Sequence, residues 1–176
     1  FFTSCNNSGQ ENAEGAASED VLDLEGFEGL SFKDYDLDIM IMLPVKETAL
    51  GTVKPQIIHE EGDFKWEVVI GPSFSFFIED FGSEKELVKR HKDRLAEKEF
   101  FHTEFIKEGK DFLLYKRLLK YDGKVEDTNK KNVYFVFREF QIGNVNYIIK
   151  STEDGLFKPE AEEMLNAVRS IEVLKN

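Results

Sequence analysis

Cysteine, long apolar runs and nucleotide-binding motifs are scarce or missing in this chain of 176 residues. A single cysteine cannot form an internal disulfide, so the fold does not depend on a disulfide framework. The longest apolar runs are four or five residues, which is too short for a helix that spans a bilayer. The sequence also has no glycine-rich phosphate loop, Walker motif or dinucleotide fingerprint.

Positive charge is the other scarce feature, because 35 acidic residues face only 23 lysines and arginines and the net charge is -12. Nucleic-acid backbones require clustered basic residues, so we expect no nucleic acid among the partners. Residues 1–26 carry six acids and no Lys or Arg, and they are rich in Ser, Asn, Gly and Ala. This composition predicts that about residues 6–25 form a disordered, solvated linker.

The one cysteine stands at position 5, after a short ordered pattern. Phe2 is apolar, and Thr3 and Ser4 are small residues directly before Cys5. The stretch resembles the lipobox of bacterial lipoproteins, with Phe2 where Leu is usual, and the Phe-rich and Asn-rich start is similar to Bacteroidota lipoproteins. A signal peptidase needs small residues at its cut site. The resemblance implies lipidation of Cys5, and the alternative is an incidental or cloning-derived cysteine.

This interpretation divides the chain into three segments. We expect residues 1–4 to be the end of a signal peptide, 5–26 to be the lipidated Cys5 with its acidic linker, and 27–176 to be a single globular domain. Each buried methylene of an acyl chain adds about 0.8 kcal/mol to membrane binding, so several chains on Cys5 anchor stably. The predicted location is the bacterial cell envelope, on its periplasmic or outer-membrane face.

Beyond the linker, alternating apolar residues and turn residues predict mainly strands. Two segments have helical spacing instead. The first is 84–98, at whose start Ser83 and Glu86 match a capping box, and the second runs from Pro159 to about Ser170. Strands and hairpins are predicted at 35–43, 56–71, 73–81, 100–124 with a turn at Gly109, and 133–151 with a turn at Gly143-Asn144, while 44–55 and 125–132 are predicted loops.

The predicted strands near the middle of the sheet are apolar on both faces. Phe135 and Phe137 alternate with Tyr134 and Val136, and such a strand needs cover on both sides. Two amphipathic helices supply that cover if one lies on each face. The sequence therefore predicts an α+β fold, with a mainly antiparallel sheet of about six to seven strands flanked by two helices in an α/β/α sandwich.

The order of these elements resembles the PsbP-like superfamily, which includes extrinsic photosystem subunits and a Ran-binding nuclear factor. The resemblance covers roughly residues 30–174. It rests on the early strand that ends in Leu43-Pro44, the aromatic strand before the first helix, the antiparallel meander and the C-terminal helix PEAEEMLNAVRSIEV. It implies a binding or assembly module rather than an enzyme, and it transfers no functional residue.

Short motifs that could carry chemistry are incomplete. DYDLD at 34–38 begins like a calcium loop, but Ile39 and Val45 stand where that loop needs Gly and Glu. GPSFS at 71–75 lacks the final glycine of a nucleophile elbow, and a strand is predicted to follow it. We therefore predict no catalytic residue.

The three histidines do not predict a metal site. His91 lies on the apolar face of the first predicted helix, which is typical of a partly buried core residue. Two other groups of ligand-type residues lack three correctly spaced ligands: His102 with Glu104, and His59 with Glu61 and Asp63. We predict no metal and no cofactor.

Three functions remain as hypotheses. The first is a lipid-anchored envelope protein of unknown biochemical activity whose domain binds or assembles with another envelope protein, and it predicts an exposed apolar or aromatic patch. The alternative is a carrier of a small apolar ligand, based on the 17 phenylalanines. A hydrolase of envelope polymers has the least support, because no residues suggest a catalytic cleft.

Overall fold

The structure is a computed structural model, and it describes residues 21–125 and 133–175. Cys5, the predicted signal-peptide end and most of the predicted linker lie outside the described residues, as does 126–132 of the predicted polar loop. The described elements are these, in chain order: β1 Phe27–Ser31, a 3-10 helix Lys33–Tyr35, β2 Ile39–Pro44, β3 Lys46–Thr48, β4 Gly51–Val53, β5 Gln56–Ile58, β6 Lys65–Ile70, β7 Phe74–Asp80, α1 Leu87–Ala96, β8 Phe101–Glu108, β9 Phe112–Tyr121, β10 Lys124–Val125, β11 Tyr134–Ile142, β12 Val145–Ser151, α2 Lys158–Arg169 and β13 Glu172–Val173.

The strands of the described residues form three sheets, all with antiparallel pairing. The largest has eight strands in the order β10-β9-β11-β12-β7-β6-β5, with β8 also paired to β9. A second sheet has the order β1-β2-β13, and β3 and β4 form a third. Hairpins join most neighbours, including the predicted two-residue turn at Gly143-Asn144 between β11 and β12.

The predicted sandwich of one six-to-seven-stranded sheet between two helices is therefore wrong. The chain is mostly antiparallel sheet, and its 13 described strands are divided among three sheets. The alternation in β2 correctly predicted a strand, but β2 pairs with β1 and β13 and not with the large sheet. Side-chain alternation reports which face of a strand is buried and does not report its partner, because pairing is a contact between distant residues. The PsbP-like resemblance stays a prediction.

Apolar residues on the two faces of the large sheet build two separate clusters. Strand β11 contributes to both, with Val136 in the larger cluster and Phe135 and Phe137 in the smaller one. Successive side chains of a strand point to opposite faces, so the clusters lie on opposite sides of β11. The larger cluster also contains α2 and β2, and the smaller one contains α1. The prediction that β11 is covered on both faces is confirmed.

Helix α1 begins later than the sequence predicts, and its start is stabilised by a distant residue. The first helical residue is Leu87, and its N-cap residue Glu86 is left-handed with φ 56° and makes no side-chain cap bond. The predicted capping box of Ser83 and Glu86 is therefore wrong. The backbone N–H of Val88 instead donates to a carboxylate oxygen of Glu139 on β11 at 2.8 Å. This contact supplies an acceptor that local sequence could not predict.

Two local predictions in the first third of the chain also need correction. The predicted strand 35–43 begins only at Ile39, because Lys33–Tyr35 forms a 3-10 helix and Asp36 is left-handed with φ 58°. The DYDLD residues therefore precede the strand. The predicted loop 44–55 contains the small β3-β4 hairpin. By contrast, α2 spans Lys158–Arg169 with proline in its first turn, as predicted.

Candidate functional sites: a cationic pocket and an apolar edge

The face of the large sheet that carries α1 is only partly covered by that helix. Helix α1 is ten residues long and packs through Leu87, Val88 and Leu95 on β9, β11 and β12. Strands β6 and β7 extend the same sheet beyond it. Two adjacent depressions lie on this face, and they share the residues from Lys150 to Glu153.

The smaller depression has a volume of about 320 Å³ and lies between α1 and the sheet. We call it the cationic pocket and define it by six of its lining residues: His91, Arg94, Lys98, Tyr115, Arg117 and Lys150. These residues come from α1 and the segment after it, from β9 and from β12. The pocket therefore joins segments that are far apart in the sequence.

His91 is packed between two aromatic residues in this pocket. Its ring stacks on Phe137, with centroids 4.0 Å apart and planes 8° apart. Its Nε2 lies 2.9 Å from the hydroxyl oxygen of Tyr115, within hydrogen-bond distance. The prediction that His91 is a partly buried core residue is confirmed.

Burial and surrounding positive charge both act on these two groups. Burial, and then the charges of Arg94, Lys150, Lys98 and Arg117, lower the pKa of His91 from 6.5 to about 4. Burial raises the pKa of Tyr115 to about 12, against the opposing charges of Arg117 and Arg94. His91 is therefore neutral at pH 7 and sits within reach of four cations.

Arg117 is held between aromatic rings and has an unused donor. Its guanidinium carbon lies 4.4 Å from the ring centre of Phe101 and 5.0 Å from that of Phe135. Its Nε is shielded from solvent and has no hydrogen-bond partner among the described residues. A shielded donor without a partner costs about 1–3 kcal/mol.

The charge balance of the pocket is opposite to that of the chain. Four cations line it against two carboxylates, those of Glu79 and Glu153. Lys150 is already paired with Glu79 at 2.9 Å. Within residues 21–125 and 133–175, the other three cations have no carboxylate partner: Arg94, Lys98 and Arg117. Three cations without a described carboxylate partner therefore line one concavity.

The larger depression, of about 800 Å³, contains the serines of the GPSFS motif. Ser73 and Ser75 line it together with Lys65, Glu67 and Phe77. The described lining residues include no histidine. A serine nucleophile needs a hydrogen-bonded base, and among the described residues neither Ser73 nor Ser75 has a side-chain hydrogen bond to one. The motif turns into strand β7, as the sequence predicted.

The other two histidines lie apart from the cationic pocket. His59 stacks on Trp66 with centroids 4.6 Å apart, and its Nδ1 lies 2.9 Å from the carbonyl oxygen of Lys65. His102 lies exposed on β8, two residues from Glu104. In the part of the chain that the structure describes, no three His, Cys, Asp or Glu residues are grouped so that they could hold a metal ion.

A second candidate surface is apolar and lies where β9 ends. Leu119, Tyr121 and Val125 line a shallow depression of about 580 Å³, together with Asp122 and Lys124. Tyr121 is 79% exposed. We call these three apolar residues the apolar edge: Leu119, Tyr121 and Val125.

Comparison of the chain with known protein families and with curated proteins gives no match in either case. Among the described residues, neither helix has the length and apolar character needed to cross a membrane. The conclusions about function therefore depend on the chain's own residues.

Sequence reasoning missed the cationic pocket, although one signal was present. His91, Arg94 and Lys98 are spaced by three and four residues, so a helical path places them on one side. Arg117 and Lys150 gave no such signal, because each lies in a strand that only the sheet pairing brings near α1.

Proposed function

We propose that this chain is a lipid-anchored protein of the bacterial cell envelope, held by Cys5, and that its domain binds another envelope protein. The apolar edge carries the proposal. It groups three exposed apolar side chains, one of them the aromatic ring of Tyr121, in one depression. Exposed apolar groups of this kind are stabilised by burial in an interface, at about 25 cal/mol per Å².

The surroundings of the apolar edge also resemble a protein interface. Asp122 and Lys124 line the same depression as Tyr121, and Lys120 lies between Leu119 and Tyr121 in the chain. Interfaces commonly have an apolar centre rich in aromatic residues and a polar rim. Tyr121 is the natural anchor residue, because exposed tyrosines bury much area with little loss of side-chain freedom.

The two alternative functions have less support from the surface. Both depressions on the α1 face carry charged side chains, which do not favour an apolar cargo. In the larger depression, neither Ser73 nor Ser75 is hydrogen-bonded to a base among the described residues, which does not favour a hydrolase. The apolar edge favours protein binding instead.

The test uses the full-length lipoprotein in membranes. A photo-crosslinking residue at position 121 should capture one protein in near-stoichiometric amount, and the Tyr121→Asp variant should lose that protein in pull-downs. Phe64→Asp is the matched control, because Phe64 is 72% exposed and lies before β6. The proposal fails if no protein is captured at position 121, or if both variants retain the same partner equally.

Anchoring is tested separately. The Cys5→Ala variant should lose incorporation of labelled fatty acid and move from the membrane fraction to the soluble fraction. Unchanged labelling in this variant would contradict lipidation of Cys5 and would leave the crosslinking result intact.

A further inference from the structure

Positive charge in the cationic pocket exceeds the negative charge of the two carboxylates that line it, Glu79 and Glu153. The chain as a whole carries twelve excess negative charges. Even so, Arg94, Lys98 and Arg117 face one concavity without a carboxylate partner among the described residues. Like charges that lie close together repel each other, so an anion bound among them would lower that repulsion.

The number and type of these cations indicate the charge of that anion. A carboxylate carries one negative charge, whereas a phosphate monoester carries about 1.5 to 2 near pH 7 and offers three acceptor oxygens. The guanidinium groups of Arg94 and Arg117 present planar pairs of N–H donors, which match phosphate geometry. The ammonium group of Lys98 adds a third charge-assisted donor.

The aromatic rings and the volume of the pocket indicate the size and character of the organic part of the ligand. The rings of Tyr115 and Phe135 line it beside Arg117, so an organic group can pack against them. The volume of about 320 Å³ is at the lower end of small-molecule sites.

We propose that the cationic pocket binds the phosphoryl group of a phosphate monoester, held by Arg94, Lys98 and Arg117. The ester is either a small soluble molecule or the exposed headgroup of an anionic lipid, since both present the same phosphoryl chemistry. The site is built from side chains that are far apart in the sequence. A search for a glycine-rich phosphate loop, which binds through backbone N–H groups, therefore does not find it. This proposal is independent of the apolar edge.

The experiment is calorimetric titration of the purified full chain at low ionic strength. Phenyl phosphate and inorganic phosphate serve as the soluble probes. Vesicles of phosphatidylcholine with phosphatidic acid serve as the lipid probe, with phosphatidylcholine vesicles alone as their control. Saturable binding of phenyl phosphate indicates a soluble ester, and binding only to vesicles with phosphatidic acid indicates a headgroup.

Matched variants assign the binding to the pocket. Arg94→Gln should raise the Kd by about tenfold, because it removes a charge-assisted pair of hydrogen bonds. Lys89→Gln is the control, because this substitution makes the same change in net charge. Lys89 is on the same helix but lines a different depression. Arg117→Gln is the second variant, with folding checked by circular dichroism. The proposal is overturned if no probe binds saturably, or if Arg94→Gln and Lys89→Gln have equal effects.

Discussion

Acidification should destabilise this protein through one side chain, His91. The imidazole is stacked on Phe137, lies at hydrogen-bond distance from Tyr115 and is surrounded by the cations of the cationic pocket. Burial and these charges lower its pKa to about 4 in the folded state. The unfolded chain exposes the ring to water, where its pKa is about 6.5.

The sign and size of the effect follow from these two pKa values. Between pH 6.5 and pH 4 the unfolded state binds a proton that the folded state does not, so the free energy of unfolding decreases as the pH falls through this range. The loss is about 2 kcal/mol at about pH 5 and levels off at about 3 kcal/mol below pH 4. About one pH unit above 6.5 and higher, His91 contributes almost no pH dependence.

Urea unfolding measured by tryptophan fluorescence is a suitable assay, because Trp66 is the only tryptophan and is buried. The His91→Phe variant keeps an aromatic ring against Phe137 but cannot take up a proton. Every other titrating group is shared, so the difference between the two pH profiles isolates His91. Wild type should lose stability relative to His91→Phe by the amount above between about pH 7 and pH 5. Parallel profiles over this range would refute the reasoning. His91→Gln is the second variant if His91→Phe does not fold.

Three further substitutions should reduce the free energy of unfolding. Glu139→Ala removes the acceptor for the Val88 N–H at the start of α1, 2.8 Å away, and should cost about 1 kcal/mol, measured by urea unfolding. Phe76→Ala leaves a cavity at a fully buried site of the larger cluster and should cost about 3–5 kcal/mol in the same assay. Gly143→Ala puts a side chain at φ 58° in the β11-β12 turn and should cost about 1–2 kcal/mol, measured by thermal unfolding.

Each of these substitutions has a matched control. Glu139→Gln retains an acceptor oxygen, so it should lower the free energy of unfolding by less than Glu139→Ala does. Phe157→Ala truncates a half-exposed phenylalanine, so it should lower the free energy of unfolding by much less than Phe76→Ala does. Asn tolerates the left-handed region better than Ala, so Gly143→Asn should be the milder change. The reverse order in any pair would contradict the mechanism assigned to that residue.

Much of the local structure was predictable because it depends on neighbouring residues. The Gly143-Asn144 turn, the hairpin between β8 and β9, and the proline start of α2 were all predicted and are present. Apolar side chains on both faces of β11 predicted two separate layers of packing, and two clusters are found. These features need only turn geometry and side-chain period, which short stretches of sequence contain.

Features that depend on distant contacts were missed. Helix α1 begins at Leu87, later than predicted. The backbone N–H of Val88 in its first turn donates to Glu139, which lies far along the chain on β11. Strand β2 belongs to a separate sheet because its partners are β1 and β13. The cationic pocket exists because the sheet places Arg117 and Lys150 beside α1.

The sequence by itself determined the mainly antiparallel character of the strands, the two-sided burial of the central strand β11 and the acidic charge. Each of these depends on composition or on residues close together in the chain. Only the tertiary structure decided how strands divide among three sheets and which cations share a pocket. Those outcomes depend on pairings between residues far apart in sequence, because the energies of such contacts are not encoded in any single segment.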